Sequence, residues 1–202
     1  MDIKWHKGLL SKEECKSIIG SFQNCERYQM MPGDHRLWGA ERFLEQDVVA
    51  KIMDVDREYA IERHGVPPKF QTLMVNFTFQ SEESQGSGQG WHRDSVLKYQ
   101  QKTIVYLVDV SEENGPFILK DLRYIWLSRI LIPVRRISDR IMLLCSFLFK
   151  ENAVTCGAGS GFSTCTNFIH RGKPLIKGER YAVTVYSFFD HIPLHLKKLI
   201  NG

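Results

Sequence analysis

The sequence predicts a mainly β domain, with flanking helices packed on an antiparallel sandwich or barrel. Three observations carry this. Two helical patterns stand at the front of the chain, several β-rich segments follow from residue 70 onward, and no regular alternation of strand and helix builds a doubly wound sheet. A length of 202 residues suits one domain over 1–202. The expected parts are a helical N-terminal part at about 1–69 and a β core at about 70–190, with an insertion at about 120–152.

The elements follow in order. Ser11 with Glu14 three residues later is a capping-box pattern ahead of Ile18 and Ile19, so a helix is expected from Ser11 to about Phe22. A second helix fits Glu45 to His64. Val48, Val49, Ile52, Val55 and Tyr59 recur on one face, and Gly65, Val66, Pro67 and Pro68 end it. Strands are expected at Phe70–Phe79, Thr103–Val110, Phe162–Ile169 and Tyr181–Phe189, where β-branched and aromatic residues concentrate. Ser81–Gly90 is a polar, Gly-containing loop and is expected to lie mobile at the mouth of a site. Leu122–Lys150 breaks the strand rhythm. It reads as an insertion, divided at Pro133 if helical.

Composition narrows the class. With 43% hydrophobic and 25% charged residues the chain is not of disordered type. A net charge of +4 without any Lys/Arg tract does not call for nucleic acid. Five cysteines without a Cys-x-x-Cys pair argue against a disulfide framework or structural zinc, and favour a reducing, cytoplasmic setting. The first ten residues lack a signal-peptide core, and arginines interrupt the most apolar stretch, so no membrane span is expected.

The chemistry concentrates in His92-Arg93-Asp94. On extended backbone, residues i and i+2 share a face, so the imidazole and the carboxylate can converge on one ion. His170, 76 residues after Asp94 at the end of an expected strand, supplies a third ligand. Two His and one carboxylate form the facial triad of non-haem Fe(II) oxygenases, which leaves positions for a bidentate cosubstrate and O2. Taken alone, His-x-Asp fits a surface His beside a solvated Asp equally well. Arg180 adds to the signal. It lies ten residues after His170, with Gly172, Pro174 and Gly178 between, so a turn returns it beside the histidine. A guanidinium fork there suits the distal carboxylate of 2-oxoglutarate.

The segments GQGWHRDS (88–95), KTIVYLVDVSEENGPF (102–117) and GFSTCTNFIHRGKPLIKGERYAVTVYSF (161–188) resemble the phytanoyl-CoA dioxygenase family of 2-oxoglutarate oxygenases. The resemblance covers about residues 70–120 and 155–190. It implies a double-stranded β-helix (a cupin-like jelly roll), with His92, Asp94 and His170 on iron and Arg180 on 2-oxoglutarate. It further implies hydroxylation of a small or conjugated organic substrate, of lipid, sugar or metabolite type, with release of succinate and CO2. Related halogenases lack the carboxylate that Asp94 provides. The sequence departs from the family at Gly172, where members often place Ser or Thr, and at ILKDLRYIW, where a Pro-Gly-Ser-His-like segment often follows ENGPF. Tyr106 and Asn76 are candidate secondary cosubstrate contacts, with core packing or a strand-pair hydrogen bond as the alternative for each.

Other features are weaker. His191 and His195 flank Pro193 and are expected in a C-terminal surface turn rather than a second metal site. His35-Arg36-Leu37-Trp38 is expected to be a packed Trp with surface charges, the alternative being a reach over the site. Arg123, Arg129, Arg135 and Arg136 would grip an anionic substrate if 122–150 forms a lid; contact with a membrane surface is the less favoured reading of that stretch. Two rival classes stay open. One is a cupin-like metal enzyme that does not use 2-oxoglutarate, and the other is a catalytically silent binding module on the same fold.

Overall fold

The computed structural model describes residues 3–25, 29–83, 90–94, 100–122, 135–144 and 146–201. Two antiparallel sheets face each other. Their strands are β1 (Ile3–His6), β2 (Gln29–Met31), β3 (Asp34–Trp38), β4 (Phe70–Phe79), β5 (Gln100–Tyr106), β6 (Phe117–Leu122), β7 (Phe149–Val154), β8 (Gly161–Cys165), β9 (Ile169–Gly172) and β10 (Glu179–Phe188). The larger sheet runs β1-β8-β5-β10-β4-β3-β2 and the smaller runs β7-β6-β9. This is a jelly roll.

Helix α1 (Lys12–Gln23) begins as its sequence dictates. The Ser11 side chain accepts from the Glu14 backbone, and the Glu14 carboxylate accepts from the Ser11 backbone. Helix α2 (Gln46–His64) stops at Gly65, whose φ of 74° is the left-handed cap that glycine adopts without Cβ strain. Its buried face carries Val48, Val49, Ile52 and Tyr59, and also Asp56. Asp56 is satisfied by Thr103, Gln71 and Ser187, all on strands of the large sheet. Both helices lie on one face of that sheet, where Ile18, Phe22 and Ile52 pack on Leu73, Val75, Val183 and Val185.

The opposite face of the large sheet meets the small sheet. Ile104, Tyr106, Phe162 and Ala182 pack there on Phe117, Leu119 and Val154. Because side chains alternate along a strand, β4 sends Leu73 and Val75 to the helices and Met74, Asn76 and Thr78 into the space between the sheets.

Four expectations need correction. The first 69 residues are not purely helical, since they add β1, β2 and β3 to the large sheet. Phe162–Ile169 is not one strand: the chain leaves the large sheet after Cys165 and re-enters the small one at Ile169. The strand expected at Thr103–Val110 begins at Gln100 and ends at Tyr106. The C-terminal turn is a helix, α4 (Leu194–Asn201), whose Leu196 packs on Trp38, Met74 and Phe188.

The excursion after β6 returns as β7, its antiparallel partner, so it is an insertion between paired strands. A short helix, α3 (Asp139–Leu144), belongs to it, with Met142 buried beside Trp91 and Ile118. Pro133, Arg123 and Arg129 lie outside the described residues, as does most of the 81–90 loop. Among the described residues no helix is long and apolar enough to cross a membrane.

Candidate functional site

The site lies between the sheets. His92 and His170 exchange backbone hydrogen bonds at 3.0 and 2.9 Å, and the Asp94 backbone N–H donates to Thr166 at 3.1 Å. The segment 92–94 is thereby held between β9 and residues 135–136. This explains why the chain breaks at Thr166: residues 169–172 must turn to the small sheet to meet His92.

The side chains then converge. One donor atom each from His92, Asp94 and His170 lies within 4.8 Å of the others. His92 Nε2 is 3.7 Å from Asp94 Oδ1, and His170 Nε2 is 3.7 Å from Asp94 Oδ2. The backbone fixes the tautomers. His92 Nδ1 donates to the Gly90 carbonyl at 2.9 Å and His170 Nδ1 donates to the Phe168 carbonyl at 2.8 Å. A carbonyl only accepts, so each neutral ring keeps its proton on Nδ1 and turns a bare Nε2 toward the carboxylate.

Electrostatics agree with that reading. Burial lowers the His92 pKa, and burial with help from His92 and Lys102 lowers that of His170 to about 3. Burial opposes ionisation of Asp94, but the Lys102 ammonium holds it well below the usual carboxylate range. Both imidazoles are therefore neutral and the carboxylate charged at neutral pH, the state that ligates a cation. His170 Nε2 is buried and has no hydrogen-bond partner. Such an atom is costly in a fold unless something binds it. Two imidazoles, one carboxylate and an orphaned nitrogen fit a divalent metal. Cis ligands at bond lengths of about 2.1 Å stand about 3 Å apart, so the three groups need close only slightly.

Lys102 was not singled out in the sequence. Its Nζ lies 2.6 Å from Asp94 Oδ2 and 4.5 Å from the centre of the Tyr186 ring. The signal was readable: in KTIVY it stands at the alternate spacing of Ile104 and Tyr106, so it shares their inward face.

Arg180 stands at the start of β10 and is 4% exposed. Its Nη1 donates to the Gly115 carbonyl, and its Nη2 donates to Thr78 Oγ1 at 3.0 Å. Its Nε is buried without a partner. Among the described residues no carboxylate pairs with it. A buried guanidinium held by neutral groups alone suits an incoming anion.

Asn76 and Tyr106 also line the cleft. Asn76 Nδ2 donates to Thr78 Oγ1 at 3.0 Å. The Tyr106 hydroxyl accepts from Phe117 N–H at 2.9 Å and donates to the Val154 carbonyl at 3.2 Å. Its only proton is thus engaged, and its visible work is to tie the two sheets together. Gly172 lines the cleft too and offers no side chain there.

The cross-strand register lays these residues out in rows. Tyr106, Ala182, Asn76 and Arg36 form one row across four strands, and Ile104, Thr184, Met74 and Trp38 form the next. Arg36 and Trp38 therefore belong to the wall of the cleft rather than to a peripheral segment. Arg36 is ion-paired with the buried Asp34. His195 of α4 also lines the cleft, but it is not grouped with His191 as a metal site among the described residues. The cleft has a volume of about 510 Å3, within the range of small-molecule sites.

The sequence matches no known protein-family profile and no curated protein. Solved structures do match. The 2-oxoglutarate-dependent epimerase SnoN of nogalamycin biosynthesis, solved with Fe3+, 2-oxoglutarate and a nogalamycin, superposes with a TM-score of 0.67 at 16% identity, over 93% of this chain and 79% of SnoN. The carbocyclase SnoK of the same biosynthesis gives 0.67 at 14% identity, over 98% of this chain and 86% of SnoK. A prolyl-4-hydroxylase of Pseudomonas putida gives 0.63 at 13% identity, over 94% of each chain.

The chain shares their fold. At these identities the likeness concerns the fold, and the reading of the site rests on its own residues.

Proposed function

We propose that this chain is an Fe(II)- and 2-oxoglutarate-dependent oxygenase, a single cytoplasmic domain that hydroxylates a small or conjugated organic substrate. The observation that carries the proposal is the meeting of two bare imidazole nitrogens with one carboxylate, in a cleft that also holds a buried arginine with no carboxylate on it among the described residues. His92, Asp94 and His170 hold the ion, and Arg180 takes the distal carboxylate of the keto acid. The bound ion, with 2-oxoglutarate and O2, supplies the oxidising power, releasing succinate and CO2.

The chain's own residues supply the rest. The Gly90 and Phe168 carbonyls orient the two rings, as carboxylates and carbonyls behind metal-bound histidines generally do. Gly115 and Thr78 aim the guanidinium. Tyr106 and Asn76 shape the wall beside the keto acid. The packed sheets exclude water from that end of the cleft.

The resemblance of residues 88–95, 102–117 and 161–188 to the phytanoyl-CoA dioxygenase family favours a place near it. Asp94 supports hydroxylation over halogenation, because it fills the coordination position that a halide would take. Arg180 favours this reading over a cupin-like enzyme that does not use 2-oxoglutarate, since such an enzyme gives the guanidinium no anion to bind.

Anaerobic titration of the Fe(II)-loaded protein with 2-oxoglutarate, then succinate measurement after oxygen is admitted, tests the proposal. Saturable binding followed by succinate is expected. Metal binding without 2-oxoglutarate binding would leave the non-oxoglutarate enzyme, and failure of both would leave the silent module.

A further inference from the structure

The cleft holds more positive charge than the proposed reaction needs. Among the described residues five cations line it, Arg36, Lys102, Arg135, Arg136 and Arg180, against the single carboxylate of Asp94. Arg36 is neutralised by Asp34, just outside the lining. A ferrous ion, the Asp94 carboxylate, the 2-oxoglutarate dianion and the Arg180 guanidinium together sum to zero. Lys102, Arg135 and Arg136 are then left without a balancing anion among the described residues.

These three are placed to act together. Lys102 is deep, with its side chain only 8% exposed, and its one ion-pair partner is Asp94, whose charge the metal would share. Arg136 is paired through its backbone with His92. Both cations lie close enough to His92 to disfavour its protonation. Arg135 is anchored by its Nε to the Arg93 carbonyl at 3.3 Å, which leaves the outer nitrogens of its guanidinium free of any described carboxylate. The facing wall is of another kind: Trp38, Met74 and Leu196 pack together there, with Tyr186 against them.

Building on the proposed oxygenase reading, we propose that the substrate is an amphiphilic organic anion. Its phosphate or carboxylate is gripped by Lys102, Arg135 and Arg136 on the His92 side of the metal, and its apolar body lies on Trp38, Met74 and Leu196. Lys102 is buried, so its charge acts on an anion with little screening, while the exposed Arg135 and Arg136 meet the anion at the mouth of the cleft with forked guanidinium donors.

The test is calorimetric titration of the protein loaded with Mn(II) and saturating 2-oxoglutarate, without oxygen. The probes are phenyl phosphate, phenylacetate and neutral 2-phenylethanol. At least one anion is expected to bind about tenfold or more tightly than the alcohol, and Arg136→Gln and Lys102→Met are each expected to weaken it about tenfold. The affinity of Arg136→Gln for 2-oxoglutarate should be unchanged, which separates the substrate grip from the cosubstrate anchor. Equal binding of the alcohol, displacement of 2-oxoglutarate by the anion, or variants that bind the anion like the parent would overturn the proposal. If 2-oxoglutarate itself fails to bind, the oxygenase reading falls. The same anion titration on the unloaded protein then decides the anionic pocket by itself: Arg136-dependent binding upholds it, and absence of binding overturns it.

Discussion

His170 Nε2 and Asp94 Oδ2 face each other across 3.7 Å with no proton between them. The ring's proton sits on the other side, donated to the Phe168 carbonyl, and the carboxylate is held ionised by Lys102. Two electron-rich atoms turned to one point inside a fold are stabilised only by a cation. In the metal-free chain that cation is the Lys102 ammonium, 2.6 Å from the same Oδ2.

Lys102 therefore competes with a metal for Asp94. Lys102→Met should raise the affinity for Mn(II) or Co(II) by about tenfold, because it removes a positive charge beside the ion. It should also destabilise the metal-free protein by about 3–5 kcal/mol, by leaving Asp94 buried and unpaired. Metal titration and urea unfolding of the variant check both signs. An unchanged metal affinity would mean that Lys102 does not act on the ion.

Arg180→Met should weaken 2-oxoglutarate binding by between about tenfold and a hundredfold, the loss expected for charged hydrogen bonds to a carboxylate. Metal affinity should stay the same, since Arg180 does not touch the triad. Calorimetry on the Mn(II)-loaded variant separates the two effects, and equal loss of both would point to damage to the fold.

Gly115 has a φ of 74°, and a Cβ built there would stand 2.6 Å from Leu175 Cδ1 and 2.7 Å from the Lys173 carbonyl oxygen. The Gly115 carbonyl is also the acceptor for Arg180. Gly115→Ala should cost about 1–3 kcal/mol in urea unfolding and should weaken 2-oxoglutarate binding as well. Lost stability with undiminished 2-oxoglutarate affinity would show that this turn does not aim the guanidinium.

Stability of the metal-free protein should fall with acid. His170 is held near 3 by burial foremost, against an ordinary value of 6.5. Below pH 6.5 the unfolded chain takes up a proton that the folded chain refuses, so stability is present above that pH and is lost as pH falls toward 3. His92 has the same sign, and Asp94 adds to it at lower pH. Asp56, raised by burial, works in the opposite direction in the acid range. Between pH 7 and 5 the loss through His170 is about 2 kcal/mol relative to a His170→Leu variant, read by urea unfolding. Parallel pH curves for the two proteins would contradict this.

Much of the framework was legible because local chemistry and tertiary structure agree. The Ser11–Glu14 box and the Gly65 stop set α1 and α2, and Phe70–Phe79 is a strand with the bounds its residue types suggest. What was hidden depends on partners distant in sequence. Ile3–His6 is a strand because Phe162 and its neighbours pair with it. Asp34–Trp38 carries two charges and a histidine, and becomes a strand because β4 offers Asn76 and Thr78 as its partners. The break at Thr166 follows from the pairing of His92 with His170, which no local pattern encodes. In the site, spacing brought out His92, Asp94, His170 and Arg180 as candidates; the inward face of Lys102 was readable from its alternation with Ile104 and Tyr106, but its pairing with Asp94 was not, and Arg36 joins the cleft wall only through the pairing of β3 with β4.

The central claim is that His92, Asp94 and His170 hold one divalent metal. Crystals grown anaerobically with Fe(II), measured across the iron absorption edge, test it most directly. The account predicts a single strong anomalous peak about 2.0–2.2 Å from Nε2 of His92, Nε2 of His170 and one carboxylate oxygen of Asp94. A peak bound elsewhere, or none in crystals whose protein binds iron in solution, would contradict it.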